Sequence, residues 1–130
     1  MEEILRAREK VVDNKDFARD LEKRTRRFAV EIVRLSASLP NTPEARVVRN
    51  QLTKAGTSVG ANYREANRTR SRADFRSRIK ICTSEASETM YWMEVIIEVG
   101  WLDAERVNSL YKECNELLSI FSAVVRSRDS

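Results

Sequence analysis

The residues best equipped for chemistry in this chain are cations. Between Arg64 and Lys80 the sequence places Arg64, Arg68, Arg70, Arg72, Arg76, Arg78 and Lys80, seven positive charges in seventeen residues, against only Glu65 and Asp74. A guanidinium group offers a planar fork of donors that matches phosphate and stays charged at any accessible pH. The run therefore makes a candidate nucleic-acid-binding surface, backbone-driven, weakly sequence-specific and strongly weakened by salt. Aromatic rings that would stack bases are scarce; Tyr63 lies close by. A second cluster, Lys23, Arg24, Arg26 and Arg27, can extend the surface.

Other chemistries find fewer tools. The chain has no histidine, which removes the usual general base, the commonest zinc ligand and the usual pH switch together. Cys82 and Cys114 are far apart and lack a C-x-x-C spacing. They fall on apolar helical stripes, which suits small buried hydrophobes better than a disulfide or a reactive thiol. Glu65, Glu85 and Glu88 could suggest a carboxylate-bridged metal, but that site wants Glu-x-x-His pairs on two helices. They read better as a polar network with Gln51, Ser58 and Asn62, setting helix register. Gly56 and Gly60 do not make a phosphate loop: "RVVRNQLTK" before them is helical by period, and no Lys-Ser/Thr follows Gly60. The expectation is a protein without catalytic residues, metal or cofactor.

Three Gly, two Pro and a charged share of 34% favour long helices with solvated faces. Leu21, Phe28, Ile32, Leu35 and Leu39, with Thr25 filling the gap, recur at steps of three and four and predict a helix over about 16–38. Thr42 before Pro43 is a good start for the next. Its stripe is Val48, Leu52, Ala55, Val59, Asn62 and Ala66. Ser71 with Asp74 opens a third helix, about 72–99, carried by Phe75, Ile79, Cys82, Ala86, Met93 and Ile97. Gly100 ends it and Asp103 caps a fourth, carried by Val107, Leu110, Cys114, Leu117, Phe121 and Val124 or Val125. Short turns make each helix antiparallel to its chain neighbours. The predicted fold is an all-α, up-down-up-down antiparallel four-helix bundle over 16–130. Residues 1–15, with a weak Ile4–Leu5 and Val11–Val12 pattern, form a short N-terminal arm or helix. Ala55, Gly56, Ser58, Gly60 and Ala61 strip one segment of bulk so that another backbone can approach. The basic run spans a helix end, a turn and a helix start, which gathers its charge at one end of the bundle.

Charge is also uneven along the chain. Residues 1–80 hold 20 Lys and Arg against 11 Asp and Glu, a net of +9; residues 81–130 hold 4 against 9, a net of −5. A basic half attracts polyanions, and an acidic half can pair with the basic half of a neighbour. Met90, Trp92, Met93, Val95, Ile96, Ile97 and Val99 nearly surround the end of the third helix. That excess suggests a subunit interface anchored by Trp92 and Trp101.

The runs "RNQLTKAGTSVGANYREA" and "DFRSRIKICTSEASETMYWMEVI" resemble the bacterial four-helix-bundle family named after proteins encoded in intervening sequences of 23S ribosomal RNA genes. Gln51, Ala55, Ser58, Asn62 and Glu65 carry the likeness on the second helix, and Phe75, Ile79, Ala86, Glu88 and Trp92 on the third. The family's usual run Asn-Ile-Ala-Glu-Gly stands here as Asn62-Tyr63-Arg64-Glu65-Ala66. The resemblance implies the bundle fold, homo-oligomers that include five-fold rings (a pentamer), and no established catalytic activity. A similar-looking accessory protein of diversity-generating retroelements binds nucleic acid and a reverse transcriptase, and by analogy both become candidate partners. The expectation is a non-enzymatic, oligomeric bundle binding structured RNA or a ribonucleoprotein through its basic end. The alternative is a protein-interaction scaffold whose basic end docks an acidic partner. No stretch approaches the ~18 apolar residues of a membrane span, so a cytoplasmic setting without a membrane partner is expected.

Overall fold

The computed structural model describes the backbone of residues 2–129 and the side chains of residues 14–127. Four helices fill it: α1 (Glu2–Ala37), α2 (Pro43–Ala66), α3 (Arg72–Val99) and α4 (Ala104–Asp129). There is no strand among the described residues. The ends lie where the capping residues put them. Thr42 Oγ1 accepts from Ala45 N at 3.1 Å, with Pro43 in the first helical position. Ser71 Oγ accepts from Asp74 N at 3.1 Å, and Gly100 closes α3 in the left-handed conformation at φ 85°. Only Gly tolerates that conformation without strain.

α1 differs from the expected first helix. It begins at Glu2 instead of near residue 16, so no break in helical backbone separates an arm from the bundle. No Gly or Pro interrupts residues 1–37, and the early residues are mostly good helix formers. The side chains of 1–13, which carry the Ile4–Leu5 and Val11–Val12 pattern, lie outside the described residues.

Consecutive helices pack side by side: α1 on α2, α2 on α3, α3 on α4, with a looser seam between α4 and α1. The core holds Phe28, Ile32, Leu52, Val59, Ile79, Met93, Ile96, Leu117 and Phe121. The two glycines of α2 face α1 inside the bundle. A Cβ on Gly56 would lie 2.6 Å from Ile32 Cγ2, and one on Gly60 would lie 3.0 Å from Thr25 Oγ1. Bare backbone at these positions sets how closely α1 and α2 approach. Thr25 is fully buried and turns its hydroxyl back to Leu21 O at 2.9 Å, which satisfies it without a partner helix.

One position of the α2 stripe is corrected. Tyr63, not Asn62, faces the core, at 2% exposure, tilted against Phe121 with ring centroids 5.7 Å apart. Because α2 packs against both α1 and α3, its buried face is wider than one stripe and takes in Gly56 and Tyr63 as well as Ala55, Val59 and Ala66. Tyr63 is therefore not available as a stacking platform for bases. Ala66, where the usual family run has Gly, sits in ordinary helix: no non-Gly residue has positive φ among the described residues.

Candidate nucleic-acid interface

The turn between α2 and α3 is pinned by its own backbone. Arg68 N donates to Glu65 O at 3.0 Å, Thr69 N donates to Ala66 O at 3.2 Å, and Thr69 Oγ1 donates to the same carbonyl at 2.7 Å. With the chain curled inward, Arg68, Arg70 and Arg72 are left in solvent. Arg64, Arg78 and Lys80 are exposed on the flanking helix turns, and Arg76 is half-buried. All seven predicted cations thus gather at one end of the bundle.

Their electrostatic surroundings matter more than their number. The ion pairs among the described residues involve Arg24 and Arg34. None holds Arg64, Arg68, Arg70, Arg72 or Lys80. Arg78 Nη1 donates to Asn62 Oδ1 at 3.1 Å, a neutral partner that leaves the charge in place. The nearby carboxylate of Glu22 accepts from Asn67 Nδ2 at 3.1 Å instead of meeting a cation.

The second basic cluster splits. Arg24 reaches across the loose seam to α4, its Nε and Nη2 each 2.7 Å from the two oxygens of Glu113, with Glu116 Oε1 at 3.0 Å. Those bonds to Glu113 hold its guanidinium even more firmly protonated than usual. Arg27 lines the same α1–α4 groove, whereas Arg26 faces a separate groove between α1 and α2. Each step along a helix rotates a side chain by about 100°, so adjacent arginines serve different faces. Lys23 is exposed.

The six polar residues expected to form one network are spread over α2 and α3. Ser58 Oγ donates to Lys54 O at 2.6 Å and Asn62 Nδ2 to Ser58 O at 2.9 Å, both within α2. The cross-helix link is Arg78 to Asn62. Glu88 accepts from Trp92 Nε1 at 3.4 Å on its own helix. Gln51 is half-buried and Glu65 exposed; among the described residues neither makes a side-chain hydrogen bond. Burial, then the charge of Glu88, push the Glu85 carboxyl up, against the pull of Lys54. No group of three metal-ligating residues occurs among the described residues.

Both cysteines are buried and free. Cys82 donates from Sγ to Val59 O at 3.4 Å and Cys114 to Ala86 O at 3.2 Å. Burial pushes each thiol up to about 12, so neither offers a thiolate nucleophile near neutral pH. Trp92 and Trp101 are half-buried against the core, as are Met90, Val95 and Ile97. Much of the apolar excess of α3 is thus used within the chain, because α3 is flanked by both α2 and α4. Tyr91 and Val99 remain more than half exposed, and Tyr91 meets Trp92 edge-on at 4.9 Å.

Sequence comparison places these features in a family. The model of the 23S rRNA-intervening sequence protein family matches residues 19–123. The chain belongs to this family. The match begins inside α1 and ends inside α4, taking in all of α2 and α3. A crystal structure at 1.70 Å of a protein of unknown function from the S23 ribosomal protein family of Bacteroides thetaiotaomicron VPI-5482 is similar over most of this chain. It shares 35% identity and a TM-score of 0.76, with 80% of this chain and 96% of that one covered. No curated protein matches the chain. No helix among the described residues is long and apolar enough to cross a membrane.

Proposed function

We propose that this protein is a non-enzymatic nucleic-acid-binding bundle whose α2–α3 end contacts structured RNA, alone or in a ribonucleoprotein. The observation that carries the reading is charge left un-neutralised. Five exposed cations, Arg64, Arg68, Arg70, Arg72 and Lys80, crowd one end without an ion pair among the described residues. Such a cluster repels itself and gains free energy when phosphates replace its counterions. A family description tied to 23S rRNA intervening sequences makes RNA the first probe. A binding role also fits a chain without histidine and with both thiols held protonated.

The test is fluorescence anisotropy with a labelled hairpin RNA at low salt. Arg70→Ala with Arg72→Ala should weaken binding roughly tenfold or more, taking each lost phosphate contact at about 1 kcal/mol. Both residues are exposed, so circular dichroism should not change. If the wild type fails to bind at low salt, the scaffold reading with an acidic protein partner takes its place.

Self-association belongs to the same proposal. A ring of subunits would present this basic end repeatedly on one face, and Tyr91 and Val99 beside Trp92 and Trp101 offer apolar contact surface. Sedimentation at micromolar concentration should give an oligomer; a clean monomer would remove this part.

A further inference from the structure

The outer side of the α1–α2 seam forms a groove of about 370 Å³ whose floor is made of Ala29, Gly60 and Ala61 and whose walls carry Arg26, Arg64 and Arg68. We propose that this groove is a track for the sugar–phosphate backbone of a single strand, so that the protein prefers unpaired RNA to duplex. The inference rests on the nucleic-acid reading above and narrows its substrate to the unpaired segments of a structured RNA.

The groove exists because the seam is built from small residues. Gly60 lies against Thr25 with no room for a Cβ at ordinary distance, and Ala29 and Ala61 add only a methyl each. No long side chain stands between the two helices there, and the hollow has the volume of a nucleotide-sized ligand site. Its walls come from both helices: Arg26 projects from α1, Arg64 from α2, and Arg68 from the turn beyond. All three are exposed and outside the ion pairs of the described residues. Glu22 also lines the groove and keeps its charge, since its partner Asn67 is neutral, so the three arginines outweigh one carboxylate.

The α1–α4 groove is the natural comparison. It is nearly the same size, about 360 Å³, and also rich in arginine. There, however, Glu113 and Glu31 line the walls and already pair with Arg24 and Arg34. Both linings carry a net charge of +2, but two of the four arginines of the α1–α4 groove are held by its carboxylates. None of the three in the α1–α2 groove is in an ion pair among the described residues, and all three stay free to meet a polyanion.

The groove also selects the form of nucleic acid. A single strand can lay consecutive phosphates along the hollow with its bases turned out. A duplex holds its two backbones apart on a stiff cylinder and can touch only the rim. The lining contains no aromatic ring, so the strand is held by its backbone and not by its base sequence.

The experiment compares a short labelled single-stranded oligoribonucleotide with a fully paired hairpin, by anisotropy over a salt series. Ala61 is exposed, so Ala61→Glu fills the groove with negative charge without touching the core, and Ala61→Gln is its neutral control. The single strand should bind the wild type more tightly than the hairpin does. Ala61→Glu should weaken the single strand roughly tenfold, and the hairpin far less. Arg26→Ala should reduce the salt slope for the single strand by about 0.7. Equal wild-type affinity for the two probes overturns the proposal. So does unchanged binding by Ala61→Glu and Arg26→Ala when Arg70→Ala with Arg72→Ala weakens it, a result that leaves binding at the basic end intact. Failure of the wild type to bind either probe at low salt removes the nucleic-acid reading itself, and the groove with it.

Discussion

Cys82 and Cys114 each spend an S–H on a carbonyl of an adjoining helix, Val59 O and Ala86 O, and burial raises both from an ordinary 9.0 to about 12. A raised acid is a stability statement. Below pH 9 both thiols are protonated in the folded and unfolded chain and contribute no pH dependence. As pH rises past 9 the unfolded chain loses these protons first, so it binds fewer than the folded chain and stability falls. The decline approaches about 1.4 kcal/mol per pH unit for each thiol. Urea unfolding between pH 9 and the thiols' folded value should therefore show a flatter profile in Cys82→Ala with Cys114→Ala than in the wild type. Parallel profiles would mean that the thiols are not desolvated. Their burial was legible in the sequence, because both sit on apolar stripes. The exchange of Tyr63 for Asn62 was not, since adjacent residues differ by only one helical step and the choice depends on which neighbouring helices cover that side of α2.

Between elements, the α1–α2 seam is the most constrained. A Cβ on Gly56 would stand 2.6 and 2.8 Å from the two γ-carbons of Ile32, itself fully buried and unable to yield. Gly56→Ala gains up to about 1 kcal/mol in helix propensity but overpacks the seam, at a cost of about 1–3 kcal/mol. The net expectation is a loss of roughly 1 kcal/mol, seen as a lower urea midpoint. Gly60→Ala meets Thr25 at 3.0–3.2 Å and should lie nearer neutral. A Gly56→Ala protein more stable than the wild type would show that the helices are free to separate. Capping chemistry made the element ends readable: Thr42, Ser71 and Gly100 act as their residue types require. The destinations of Arg24, Arg26 and Arg27 were not readable. Sequence fixes the angle between them, but only packing decides that one side of α1 meets α4 carboxylates and another meets the bare seam of α2.

At the scale of the whole molecule, the excess positive charge of residues 1–80 is concentrated where α2 turns into α3, and the acidic residues of α4 face α1 through Glu113 and Glu116. The charge imbalance and the four helices could be read from composition and periodicity. The groove could not, because its walls are far apart in sequence, Arg26 lying 35 residues before Ala61 and 38 before Arg64. Bound phosphates are expected to neutralise this end. The most direct test is the slope of log K against log salt for the wild type on RNA. Five free cations predict a slope of about −3 to −4, at roughly 0.7 per phosphate contact on a single strand. Arg70→Ala with Arg72→Ala should make it shallower by about 1.4. Binding that is insensitive to salt, or no binding at low salt, would mean that phosphates do not neutralise the basic end.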